Sequence, residues 1–240
     1  MTTRLGSVNS FCWMDLKAHD VAGVAEFFSA ALGWRFAVDE GDWRRAVRIS
    51  SGGHQIGGVS DLANPVYPPG IPAHIAYYLA VDDVERRVDA ATANGARLVV
   101  APFDAGDQGR TATLVDPFGA AFSPWQAREF GGWQCPPGAP FAPHRMVHIS
   151  DQPNQARLFY RELLGVDLAF ADFVPPPEPE SCAPRWELVV SATDVDGVAA
   201  RAAAHGLGHV AWLERVGRRV LRLTGPEGLS FRVVPVDPRA

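Results

Sequence analysis

The alternation of apolar and polar positions lays out the elements of this chain. In residues 13–34, "WMDLKAHDVAGVAEFFSAALGW", a strand-like stretch gives way at Asp20 to helical spacing through Val21, Val24, Phe27, Phe28 and Leu32, and Gly33 closes it. An Asp N-cap, an amphipathic helix and a glycine stop account for that pattern. The design returns at 144–168, "HRMVHISDQPNQARLFYRELLGVDL", with Asp151 as the expected helix start, Leu158, Phe159 and Leu163 on the apolar face, and Gly165 as the stop.

Two further correspondences follow in the same order. Residues 76–99 match 187–210, each an apolar strand, an Asp-Val helix start (Asp83, Asp194) and an Ala-rich helix ending near glycine. Residues 109–125 match 218–234, each a hairpin with Pro-x-Gly at its turn. Three matches in one order make the chain an internal duplication. Module 1 covers 8–126, a Gly/Pro-rich linker 127–141, and module 2 covers 142–236. Module 1 has room for three inner strands, around residues 35–40, 44–50 and 54–60. The equivalent part of module 2, Val166 to Arg185, is largely "PPPEPESCAP", and a proline run cannot supply inner strands. Module 2 is therefore expected to be truncated, with one side of its sheet open or covered from elsewhere.

Composition narrows the partners. Of 240 residues, 47% are hydrophobic and 20% charged, enough to bury a real core. A net charge of −5 with no basic patch argues against nucleic acid and anionic membranes. Cys12, Cys135 and Cys182 are widely spaced and odd in number, which favours a reducing cytoplasm over a disulfide framework. Neither a signal-peptide core nor an apolar run of roughly 20 residues occurs, so a cytoplasmic location is expected. No glycine fingerprint for a dinucleotide and no nucleophile-elbow pattern is present.

The motifs "CWMDL", "FFSAALGW", "LAVDDVERRV", "GRTATLVDPFGAAFSPWQ", "HISD" and "FYRELLG" resemble the vicinal oxygen chelate superfamily (glyoxalase I, bleomycin-resistance proteins, extradiol dioxygenases), and more closely its two-module bacterial glyoxalase-like members. The resemblance implies an α+β fold of two tandem βαβββ modules forming curved half-barrel sheets around cavities. It also implies where metal ligands stand in members that use metal: on the first strand, on the strand before the second helix and on the last strand. Counting from the helix starts and the Pro-x-Gly turn, those positions hold Trp13, Ala76 and Ser123 in module 1, which is no ligand set. In module 2 they hold His144, Glu187 and Arg232, and an arginine repels a cation; Glu187 and Arg232 are expected to pair. The Asp151 start carries one extra residue, and a one-residue slip puts Arg145 at the first position instead of His144. No metal and no cofactor are expected, although His144, His148 and Glu187, or His74, leave a rearranged metal site open.

Strand alternation places Trp13, Asp15 and Lys17 on one face, and His144, Met146 and His148 on the matching face of module 2. Asp15 has two readings: a general base or hydrogen-bond acceptor for substrate, or the partner of Lys17 or an arginine. Asp15, His144 and His148 are the catalytic candidates. Trp13, His74, Tyr78, Ser123, Trp125, Trp186, Glu187 and Arg232 are the ligand-binding candidates, an aromatic wall with a few polar groups of the kind that holds a flat, partly apolar molecule. Three functions remain open. One is a metal-independent enzyme of isomerase, cyclase or lyase type acting on an aromatic or polyketide-like metabolite. The others are an antibiotic-sequestering protein without turnover and a divalent-metal enzyme of glyoxalase or dioxygenase type. The abundance of Ala, Arg, Val, Gly and Pro suits a GC-rich bacterium with secondary metabolism. The expected partner is a small molecule, with the chain acting as a monomer or homodimer.

Overall fold

Side-chain caps decide where three of the four α-helices among the described residues begin. In the computed structural model, which describes residues 5–40, 46–177, 183–215 and 218–236, the carboxylates of Asp20, Asp83 and Asp194 accept from Gly23 N, Arg86 N and Gly197 N. Each satisfies a backbone donor that the first helical turn leaves open. The first half runs β1 (Phe11–Ala18), α1 (Val21–Leu32), β2 (Arg35–Val38), β3 (Val47–Ser51) and β4 (His54–Asp61). It continues with β5 (His74–Ala80), α2 (Val84–Ala93), β6 (Arg97–Asp104), β7 (Gly109–Val115) and β8 (Ala121–Ala127). The second half runs β9 (Pro143–Ile149), α3 (Pro153–Leu164), β10 (Ala171–Val174), β11 (Arg185–Ala192), α4 (Val195–His205), β12 (His209–Arg215), β13 (Arg218–Thr224) and β14 (Ser230–Pro235).

The first half is thus βαβββ twice over, and the second is βαβ followed by βαβββ. Between α3 and β11 the described residues form one short strand, β10, upstream of the proline run; residues 178–182 of that run, and 44–45 of an expected inner strand, lie outside the described residues. The strands make two open sheets, in the orders β2-β3-β4-β1-β5-β8-β7-β6 and β10-β9-β11-β14-β13-β12. The mixed α+β architecture of glyoxalase-like modules with a shortened second half is what the sequence predicts.

One expectation is corrected. Asp151 does not cap α3: the cap position is Gln152, which makes no side-chain cap bond, and Pro153 opens the helix. Proline suits the first helical position, where its missing N–H leaves no bond unmade. From that start, Gly165 closes α3 twelve residues on, as Gly33 closes α1. The extra residue lies in the loop, so the slipped register applies: Arg145 corresponds to Trp13, and His148 to the buried Leu16.

The chain packs as two compact units, each drawing on both halves. One contains residues 1–13, 76–133 and 145–188. In it Arg87 of α2 donates to Leu163 O of α3 at 2.7 Å, and Phe11, Tyr77, Phe122, Phe159, Tyr160 and Trp186 form a continuous aromatic core. Each such buried ring contributes about 1.5–3 kcal/mol by leaving water. The other unit contains residues 14–75, 134–144 and 189–240. There α1 lies against α4, Arg201 donating to Ala31 O, and Phe28 and Trp34 both stack edge-on to Phe231. Gly208 makes this approach possible: a Cβ there would stand 2.3 Å from the Phe27 ring. Within this unit β1 pairs in parallel with β4, and β11 with β14. Among the described residues no helix is long and apolar enough to cross a membrane.

Candidate functional site

Two polar clusters stand out, one in each unit. The first is sealed. Asp116, in the turn between β7 and β8, accepts through Oδ1 from Phe118, Gly119 and Ala120 N–H at 2.9–3.0 Å. Its Oδ2 accepts from His148 Nε2 at 2.8 Å and from the Tyr160 hydroxyl at 3.0 Å. Tyr160 in turn accepts from Trp186 Nε1 at 2.8 Å. The side chains of His148 and Asp116 are both 0% exposed. A carboxylate can only accept, so His148 carries its proton on Nε2, and its buried Nδ1 meets no donor. Burial, and then the charge of Asp116, push the Tyr160 hydroxyl well above its ordinary range. Phe173 and Trp186 flank the imidazole at 5.5 and 4.9 Å.

These positions correct two expectations. His148 and Trp186 do not line a cavity; both point to the α3 side of their sheet, as the Leu16 equivalence requires. The cluster is a hydrogen-bonded plug in the core.

The second cluster lies on strands β1 and β4 and is half open. Asp15, 15% exposed in its side chain, is ion-paired with Lys17, 13% exposed. Its Oδ2 also accepts from the Ser60 hydroxyl at 2.7 Å. Lys17 Nζ donates further to Ser60 Oγ at 2.9 Å and to the Tyr67 hydroxyl at 3.1 Å, so all three of its donors are engaged. Register explains the gathering: Asp15 stands opposite Gly58 and Lys17 opposite Ser60. The two oxygens of Asp15 therefore differ. Oδ2 is held by Lys17 and Ser60, whereas Oδ1 accepts no hydrogen bond among the described residues. Gly58 keeps it so, since a Cβ there would sit 2.9 Å from Oδ1. Both readings of Asp15 survive, because the ion pair with Lys17 occupies one oxygen only. Sequence reasoning missed Ser60 and Tyr67. The Gly57-Gly58 pair inside a strand is the signal that would have pointed there, since strand glycines mark close approach; Tyr67, in the loop "NPVYPPG", has none.

Other candidates are placed as follows. Trp13, 9% exposed, meets Phe130 edge-on at 4.7 Å, and Trp125 donates to Phe130 O at 2.9 Å while meeting Tyr78 edge-on. Ser123 is buried and bonds Thr113 at 3.1 Å. Phe130, in the linker, is the residue of this aromatic group that the sequence did not single out. His74 is exposed and bonds Pro72 O. Glu187 is buried and accepts from Arg185 Nε at 2.8 Å. His144 is half-buried at the start of β9, and Arg145 pairs with Asp172. Arg232 is buried in β14.

The fold class often carries a divalent metal, and the donor set can be tested for it. Among the described residues no group of three or more His, Cys, Asp or Glu could hold a metal ion. Trp13 and Ser123 offer nothing to replace it, and Arg232 carries the wrong charge, so the residues do not fit a family-type centre.

Comparisons with known proteins bear on the family and the fold. Residues 13–123 match the family model of the glyoxalase-like domain, running from Trp13 to Ser123. Along 95% of its length the chain is 27% identical to CFP32 of Mycobacterium tuberculosis (strain CDC 1551 / Oshkosh), a protein provisionally named a glyoxylase, and covers 95% of it. It is 30% identical over 166 residues to the anthracycline biosynthesis protein DauV of Streptomyces sp. (strain C5), covering 64% of this chain and 60% of that one. The Mn(II)-bound glyoxalase from Novosphingobium aromaticivorans superposes with a TM-score of 0.62 at 15% identity, over 97% of this chain and 86% of that one.

Proposed function

We propose that this chain, with a glyoxalase-like domain at residues 13–123 and the fold of the vicinal oxygen chelate superfamily, is an enzyme that moves a proton on a flat aromatic or polyketide-like metabolite without a metal. The observation that carries the reading is the asymmetry of Asp15: one oxygen is clamped by Lys17 and Ser60, the other is left open beside Gly58. An oriented carboxylate with one unengaged oxygen suits the removal of a proton from a phenol or an activated C–H. Trp13 lies two residues away on the same face of β1 and supplies aromatic surface for a planar ring. Tyr67 accepts from Lys17 and keeps its own hydroxyl proton to give. A proton taken at one atom and returned at another isomerises or cyclises the substrate without an oxidant. Tyr78, Ser123 and Trp125 are proposed as further ligand contacts, as are His74, His144 and Glu187. The similarity to an anthracycline biosynthesis protein supports a polycyclic aromatic substrate class.

The test is incubation with the aromatic ketone 1-phenylbut-3-en-1-one, whose α proton moves to the γ carbon on isomerisation to the conjugated ketone, with the isomers separated by chromatography and affinity taken from tryptophan quenching. Conversion that persists in excess chelator and is lost in Asp15→Asn is expected. Conversion that the chelator abolishes contradicts the metal-independent reading, and a ligand bound but recovered unchanged favours sequestration.

A further inference from the structure

The sheet face that carries Asp15 holds a second charge in the same row. Between β1 and β4, Asp15 stands opposite Gly58, and between β4 and β3, Gly58 stands opposite Arg48. The adjacent row is Leu16, Val59 and Val47, with Leu16 and Val59 buried in the core. Side chains alternate along a strand, so Asp15, Gly58 and Arg48 share the opposite, more open face. All three belong to residues 14–75 of one compact unit. Adjacent strands lie about 4.8 Å apart, so Asp15 and Arg48 stem from backbone about 10 Å apart, with only a glycine between them.

Opposite charges so placed attract, yet no ion pair joins them, because each is held by a partner of its own. Lys17 and Ser60 hold Oδ2 of Asp15. Arg48, 31% exposed in its side chain, is held from the other direction by Asp39, just past the end of β2. Its Nε donates to Asp39 Oδ2 at 3.1 Å, and its Nη2 lies 3.0 Å from the same oxygen. Nη1 makes no hydrogen bond among the described residues. Asp39 is itself fixed, its N–H donating to Ala46 O at 2.8 Å. A carboxylate with one open oxygen and a guanidinium with one open nitrogen therefore flank a glycine floor. A ketone lying over Gly58 would meet Asp15 at its α carbon and Arg48 at its oxygen.

We propose that Arg48 is a second catalytic residue, which holds the oxygen of an enolisable ketone while Asp15 takes the α proton. The proposal rests on the proton-transfer reading of Asp15 and narrows its substrates to ketones with an acidic α C–H. The step balances without a co-reactant. Oδ1 of Asp15 takes the proton, the C–H electron pair forms a double bond to the carbonyl carbon, and the carbonyl π pair moves to oxygen. The resulting enolate oxygen accepts from Arg48, which stabilises it more than the uncharged ketone. In a β,γ-unsaturated ketone Asp15 then returns the proton to the γ carbon, and the oxygen pair re-forms the carbonyl.

Two probes test it: 1-phenylbut-3-en-1-one reads the reaction, and 4-nitrophenolate, an enolate mimic, reads the anion site without turnover. Arg48→Met should lower kcat on the ketone about a hundredfold while KM changes less than about threefold. Arg48→Lys, which keeps a charge for Asp39 but loses the fork, should lower kcat about tenfold. In an Asp15→Asn background, whose neutral side chain stands for the protonated base, 4-nitrophenolate should bind and the neutral 4-nitroanisole should not. Adding Arg48→Met there should weaken the phenolate at least tenfold. Unchanged kcat in Arg48→Met, or in Arg48→Lys should the first fail to fold, would overturn the proposal, as would phenolate binding that Arg48→Met leaves undiminished. Turnover lost in Asp15→Asn but kept in Arg48→Met leaves the proton-transfer reading standing and ends this one. A wild type that leaves the ketone unchanged yet binds 4-nitrophenolate through Arg48 ends that reading and supports the anion-holding role of Arg48.

Discussion

The sealed and the open cluster are built from similar parts and differ in how far their carboxylates are engaged. Each gathers a carboxylate, a nitrogen donor and a tyrosine hydroxyl: Asp116 accepts from both His148 and Tyr160, whereas Asp15 pairs with Lys17, which in turn donates to Tyr67. In the first, every lone pair of the carboxylate is used and no member reaches solvent. In the second, one oxygen is fixed and the other is open. A buried network whose carboxylate is fully engaged rigidifies a core, whereas a carboxylate with an unengaged, reachable oxygen suits the proton transfer proposed above. The difference lies in surroundings: α3, with Tyr160 and Phe159, closes over His148, while Gly58 leaves a gap over Asp15.

The comparison breaks most visibly in stability. Asp116→Ala strips the acceptor from five donors and should cost about 3–5 kcal/mol in urea unfolding. His148→Leu, which restores the residue type of the equivalent Leu16, removes one of those donors and should cost about 1–3 kcal/mol. Asp15→Asn, in a half-open ion pair, should cost no more than about 1 kcal/mol. If Asp15→Asn proves the more damaging to stability, the roles are reversed. Gly58→Ala sharpens the contrast, since its methyl group meets Oδ1. It should weaken ligand binding or turnover about tenfold, measured by fluorescence titration, with little change in unfolding.

Alkaline pH separates the clusters more gently. The Tyr160 hydroxyl, held protonated by burial and by Asp116, titrates above its ordinary range when folded. An unfolded tyrosine ionises near pH 10. Above that pH the unfolded state holds fewer protons than the folded one, so stability falls as pH rises. Tyr160→Phe should flatten that slope in urea titrations. The smallest effect expected is on stability from Tyr67→Phe, at about 0.5 kcal/mol or less, because Lys17 keeps Asp15 and Ser60.

What the sequence disclosed follows from range. Helix starts at Asp20, Asp83 and Asp194 were legible because a cap bonds within three residues. The duplication and the shortened second half were legible from order and spacing. The face of His148 was not, because one extra loop residue before Pro153 reverses the side to which every side chain of β9 is assigned. The role of Asp116 was not legible, since its bonds to His148 and Tyr160 span 32 and 44 positions. Ser60 and Tyr67 reach Lys17 over 43 and 50 positions; the Gly57-Gly58 pair hints at a close approach near Ser60, and no local pattern announces Tyr67. That Trp13 and Asp15 share a face of β1 was legible because a strand's period of two is local.

The most direct test of the central claim is heteronuclear NMR of the indole N–H groups as 1,2-dihydroxyanthraquinone is added. Seven tryptophans give a tractable set of resonances. The Trp13 signal should move with ligand while that of Trp186, bonded to Tyr160 in the sealed cluster, stays in place. Movement of Trp186 with a silent Trp13 would contradict the account, because the ligand would then be reading the cluster assigned to structure.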